Sequence, residues 1–148
     1  MREYPKGRIT KLQDDEIFVF GSNESGIHGK GAAKDALDHM DVIWGMGFGQ
    51  HGNTFAIPTK DWNIKRLPLH HIEFYVKRFL DYTKSKPNLI FFVTPIGCGY
   101  AGYNPEVIAP MFQEHKSNVI LCPEFRTILE NHRKVKESYN WDWRKKYE

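Results

Sequence analysis

Residues Leu89-Ile-Phe-Phe-Val-Thr94 form an unbroken apolar run between the turn Lys86-Pro-Asn88 and Pro95. Such a short run, rich in β-branched and aromatic residues, marks a strand buried on both faces. A chain that carries one must supply cover for both sides of a sheet, which constrains the fold more than any other segment does. Glu16-Ile-Phe-Val-Phe-Gly21 is a second run of the same kind, and it ends at a glycine.

The remaining segments supply that cover. After the first run comes a glycine-rich loop, Ser22–Gly31, and then Ala32–His39, which has strong helix formers and no breaker. Val42-Ile-Trp44 is a candidate short strand, and Gly45–Gly52 a glycine-rich stretch that could act as a flexible flap. Thr54–Ile57 reads as a strand stopped by Pro58. Leu69, Ile72, Val76, Phe79 and Leu80 recur at helical spacing, which predicts an amphipathic helix over 68–84 with Pro68 at its start. Asn104 is a fitting N-cap for a helix running to about Gln113. Asn118–Leu121 is a last strand, and Pro123 begins a helix that enters a charged tail. Alternation of strands and helices predicts an α/β protein, a three-layer α/β/α sandwich. The 148 residues suit one domain, 1–148, with a core over about 16–121 and the helix and tail over 123–148.

Composition narrows the function classes. The two cysteines, Cys98 and Cys122, form no CxxC pair, and the seven histidines form no HExxH, so neither a disulfide framework nor a metal site nor a cofactor is expected. The net charge of +3 resides entirely in Asn131–Glu148, leaving residues 1–130 neutral. Only that basic tail, with its aromatics Tyr139, Trp141 and Trp143, offers a nucleic-acid partner, and it is the lesser alternative. The first residues lack a signal peptide's apolar stretch, and no run of about 18 apolar residues could span a membrane. A cytoplasmic protein with no membrane partner is expected.

Two strands that each run into a glycine-rich loop are the chief functional signal. Glycine lets the backbone approach a ligand closely, and the amides at a following helix present a partial positive charge. Two such loops at one sheet edge could hold two phosphates. Gly47-Phe-Gly49-Gln-His-Gly52 matches the dinucleotide fingerprint GxGxxG, but a strand follows where that motif requires a helix, so the match is rejected.

Phe20-Gly-Ser-Asn23 with Gly26-Ile-His-Gly-Lys-Gly-Ala-Ala33 resembles the first ligand loop of macro domains. Ile96-Gly-Cys-Gly-Tyr-Ala-Gly-Tyr103 is similar to the second phosphate loop in the terminal ADP-ribose glycohydrolase branch of that superfamily. Thr54–Asp61 and the 68–84 helix look like a phage and bacterial macro-like subfamily. The resemblance implies a mixed central sheet and binding of ADP-ribose or a related NAD-derived, phosphate-bearing nucleotide, as a reader or sequestering protein. It assigns the ligand to Gly21, Ser22, Asn23, Gly29, Lys30, Gly31 and Ala32 of the first loop. From the second it assigns Ile96, Gly97, Cys98, Gly99, Tyr100, Ala101, Gly102 and Tyr103.

Two departures bear on chemistry. Where the hydrolase branches carry an acid, this chain has Ala101 and, near the other position, Ala33. Hydrolysis of an ADP-ribosyl or ADP-ribose-phosphate bond would therefore need other groups, and Lys60, Asp61 and His28 are the candidates. Amide dipoles in the second loop could lower the pKa of Cys98, although a small apolar loop residue is the simpler reading.

Overall fold

The computed structural model describes residues 2–28, 33, 34, 36, 38, 40 and 44–139. The assigned ligand residues Gly29, Lys30, Gly31 and Ala32, the candidate strand positions Val42 and Ile43, and the tail residues Trp141 and Trp143 lie outside them. The fold is α/β. Strands β1 (Glu16–Asn23), β2 (Gly49–His51), β3 (Thr54–Lys60), β4 (Ile90–Val93) and β5 (Val119–Leu121) make one mixed sheet in the order β2-β3-β1-β4-β5. Among these five strands the β2–β3 pairing is antiparallel and the other three pairings are parallel. The apolar run 89–94 is thus an interior strand, beside β1 at the centre.

Alternation along the strands explains why their sequences are apolar throughout. Ile17 and Val19 of β1, Phe55 and Ile57 of β3, and Phe91 and Val93 of β4 enter one buried cluster. Phe18 and Phe20, Ala56 and Phe92 point the other way and enter a second cluster with Ile9, Ala33 and Ala36. Successive side chains on a strand face opposite sides, so a sheet covered on both faces has no polar positions to spare. The first cluster lies under helix α1 (Leu69–Lys84), which contributes Ile72, Val76, Phe79 and Leu80. Helix α3 (Pro123–Tyr139) adds Phe125 and Ile128 to the same side.

Three segments differ from the sequence expectation. β3 runs through Pro58 to Lys60. Its pairing with β2 ends at Ala56, so Pro58 sits beyond that ladder, where a missing N–H is tolerated. The helix capped by Asn104, α2, spans only Pro105–Ile108, and a tighter 3₁₀ turn, Ala109–Phe112, replaces the rest. Pro110 is the cause: it has no amide to donate and its ring crowds the preceding turn. The cap itself is as expected, with Asn104 Oδ1 accepting the Glu106 amide at 2.9 Å. Finally, Gly49–His51 is a strand, joined to β3 by the two-residue turn Gly52-Asn53 with Gly52 at φ 55. That hairpin occupies the rejected GxGxxG match.

Candidate functional site

The chain leaves β1 toward one face of the sheet, where Ala33 and Ala36 are helical and join the second cluster. It leaves β4 toward the other face, where Ile108, Ala109 and Phe112 join the first. β1 and β4 are parallel neighbours, so the strand ends between these diverging exits form a crevice, the place where α/β sheets bind ligands. A cleft of about 550 Å³ opens there, within the range of small-molecule sites.

The cleft brings together most of the expected residues. Gly21, Ser22 and Asn23 line it from the end of β1, and Ile96, Gly97, Cys98, Gly99, Tyr100 and Ala101 from the loop after β4. Lys60 lines it from the end of β3, its Nζ 5.8 Å from the centroid of the Tyr100 ring. Gly102 and Tyr103 do not line it. The Tyr103 hydroxyl donates to the Leu67 carbonyl at 2.6 Å, and its ring lies under the Arg66 guanidinium at 4.2 Å. Residues that the sequence reading did not assign to the ligand complete the wall, above all Ile27, Thr59, Ile64 and Glu124. The Asp61-Trp-Asn63 turn signal could have drawn attention to Ile64. The placement of Glu124 depends on how α3 docks.

The two loops are held differently. Asn23 is buried, and its amide is spent on its own loop. Oδ1 accepts from the Ile27 amide (2.9 Å) and the Ser25 hydroxyl (2.8 Å), while Nδ2 donates to the Ile27 carbonyl (2.7 Å). The buried Ser22 hydroxyl donates to the Gly47 carbonyl. Gly26 donates to the Asn23 carbonyl at 2.9 Å and accepts from Gly45 at 2.8 Å. Gly45–Gly47 is thus packed against the first loop and does not form a flap. In the second loop, the amides of Cys98 and Gly102 bond to Pro95 and Gly99 carbonyls. Those of Gly97, Gly99 and Ala101 make no backbone hydrogen bond among the described residues, so they remain available to an anion.

The three candidate catalysts fare unequally. Lys60 is in the cleft. Asp61 does not line it, because Oδ1 accepts the amides of Asn63 (2.8 Å) and Lys65 (3.0 Å) and closes a local turn. His28 is fully buried, packed edge-on against Phe20 (5.3 Å) and Trp44 (6.2 Å), and presents no surface to the cleft. Among the described residues no group of three His, Cys, Asp or Glu side chains could hold a metal ion, and no helix is long and apolar enough to cross a membrane.

The Cys98 thiol is not activated. Burial, with the charge of Glu124 adding to it, pushes its pKa up to about 11, and burial pushes Cys122 up to about 12. Desolvation of the thiolate therefore outweighs any amide dipole. Between an ordinary value of 9 and about 11 the folded chain keeps thiol protons that the unfolded chain has released. Stability must then fall as pH rises through this window. The urea midpoint is expected to hold from pH 7 to 8.5 and to drop between 9 and 11, with a shallower drop in Cys122→Ala. An equal drop in that variant would assign the effect to other groups.

No family model matches this chain, and no curated protein or solved structure matches it.

Proposed function

We propose that this protein binds ADP-ribose or a related NAD-derived, phosphate-bearing nucleotide in the cleft between β1 and β4, and that it acts as a reader or sequestering protein in the cytoplasm. The observation that carries this reading is the convergence of two strand-end loops, 21–27 and 94–101, on one cleft. The second loop also has amides of Gly97, Gly99 and Ala101 with no backbone acceptor among the described residues. Backbone amides can hold phosphate oxygens without a cluster of basic side chains. On this reading the sheet with its two buried faces is the centre of a three-layer, macro-domain-like sandwich.

Binding without efficient hydrolysis fits the cleft better than turnover does. Ala33 and Ala101, at or near the positions where the hydrolases it resembles carry an acid, both line the cleft and offer only methyl groups. Asp61 is engaged in its turn, His28 is buried, and Cys98 keeps its proton. Among the described residues the one carboxylate lining the cleft is Glu124, and none stands at the loop positions from which those motifs would activate water or attack an anomeric carbon.

A thermal-shift series with ADP-ribose, its phosphates, cyclic forms and NAD tests the reading. A ligand at 100 times its dissociation constant stabilises the fold by about 2.7 kcal/mol, which for 148 residues raises Tm by roughly 8–9 °C. No shift with any of them at millimolar concentration would exclude the nucleotide reading. Release of ADP-ribose from a modified protein by the wild type, lost in Lys60→Ala, would make the protein an enzyme instead.

A further inference from the structure

Ile64 is the one residue other than glycine, among those described, with a left-handed backbone, φ 62. A β-branched side chain in that region is strained and persists only where its surroundings force it. Here the forcing elements are explicit. Asp61 Oδ1 accepts the amides of Asn63 and Lys65, the Asp61 amide donates to the Lys65 carbonyl at 2.7 Å, and the Ile64 amide donates to the Asp61 carbonyl at 3.1 Å. A bridge between Lys60 and Arg66 clamps the base of the turn. What the strain accomplishes is placement: Ile64 is 41% exposed and lines the cleft.

It is not alone there. Ile27 and Tyr100, 42% and 68% exposed, line the same cleft. Apolar surface at the mouth of a cleft gives nothing to a sugar phosphate, whose surface is hydroxyl and anion. It suits a flat ring, which loses water from two faces on binding. We infer that Ile64 is a specificity residue, a strained lip against which the planar base of the nucleotide packs, and that Asp61 is the positioning residue that holds it. This rests on the nucleotide reading above and adds which part of the ligand the turn selects.

The test measures Tm and affinity together, with ADP-ribose and the base-free ribose 5-phosphate as probes. Ile64→Gly relieves the backbone and removes the contact, so Tm should rise by about 2–4 °C. ADP-ribose affinity should fall about tenfold, with that for ribose 5-phosphate unchanged. Ile64→Val should stay near wild type in both. Asp61→Ala should lose ADP-ribose affinity as Ile64→Gly does, and Asp61→Asn, which keeps the Oδ1 acceptor, should restore it. A Tm that falls in Ile64→Gly, unchanged ADP-ribose affinity, or an equal loss for both probes would overturn the lip while leaving the binding site intact. A wild type that binds neither probe would overturn the nucleotide reading, and the lip with it.

Discussion

Replacing Gly26 by alanine is expected to destabilise the protein by roughly 3 kcal/mol or more, with Gly47→Ala close behind. Two costs combine at Gly26. Its φ of 72 forces alanine into the left-handed region, at about 1–2 kcal/mol. Its new Cβ would also lie 2.2 Å from the Gly45 carbonyl carbon and 2.4 Å from the Met46 nitrogen, and backbone cannot swing aside as a side chain can. Overpacking of this kind adds about 1–3 kcal/mol. Gly47 has no positive φ, but its Cβ would lie 2.4 Å from the Asn23 carbonyl oxygen. Gly45→Ala is the control: φ is 95, and nothing lies within 4 Å of a Cβ there, so only the conformational cost of about 1–2 kcal/mol remains. Urea denaturation of the three variants measures the difference. Equal losses in Gly26→Ala and Gly45→Ala would show that the facing Gly45-Met46 backbone yields to the added methyl group without cost.

The second large effect falls on binding alone. Gly99 lines the cleft, its backbone is not left-handed, and a Cβ built on it meets nothing within 4 Å. Gly99→Val should therefore fold with stability within about 0.5 kcal/mol of wild type. Its added methyl groups occupy space beside the unbonded amides of the second loop, so ADP-ribose affinity should fall roughly 10²-fold or more by isothermal titration. Gly97 supplies the contrast two residues away. Its φ is 75 and its Cβ would sit 3.3 Å from Ile108 Cδ1, so Gly97→Ala loses stability as well as affinity. A folded Gly99→Val protein with unchanged affinity would show that the ligand does not use this loop.

The glycine loops illustrate how far pattern reading goes. The residue type correctly marked both strand exits, because only glycine tolerates close approach and positive φ there. It did not say what would approach. At Gly99 nothing does, and the position opens on the cleft; at Gly97 it is Ile108. At Gly26 and Gly47 it is the chain itself, brought in by the hairpin that β2 and β3 form. Asn23 carries the same ambiguity, since a side chain able to bond a ribose can equally bond its own loop, as it does here.

Local chemistry alone therefore determined the buried strands, the helix over Leu69–Lys84, the Asn104 cap and the failure of the GxGxxG match. Each depends on side-chain periodicity or on one residue's hydrogen-bonding capacity, which neighbours in the chain decide. Only the tertiary structure determined that β1 is the central strand and that the exits of β1 and β4 diverge around a cleft. It alone buried His28, tied Asp61 into its turn, and brought Ile64 and Glu124 to the cleft wall. These depend on contacts between residues far apart in sequence, and on a desolvation at Cys98 that no local motif encodes.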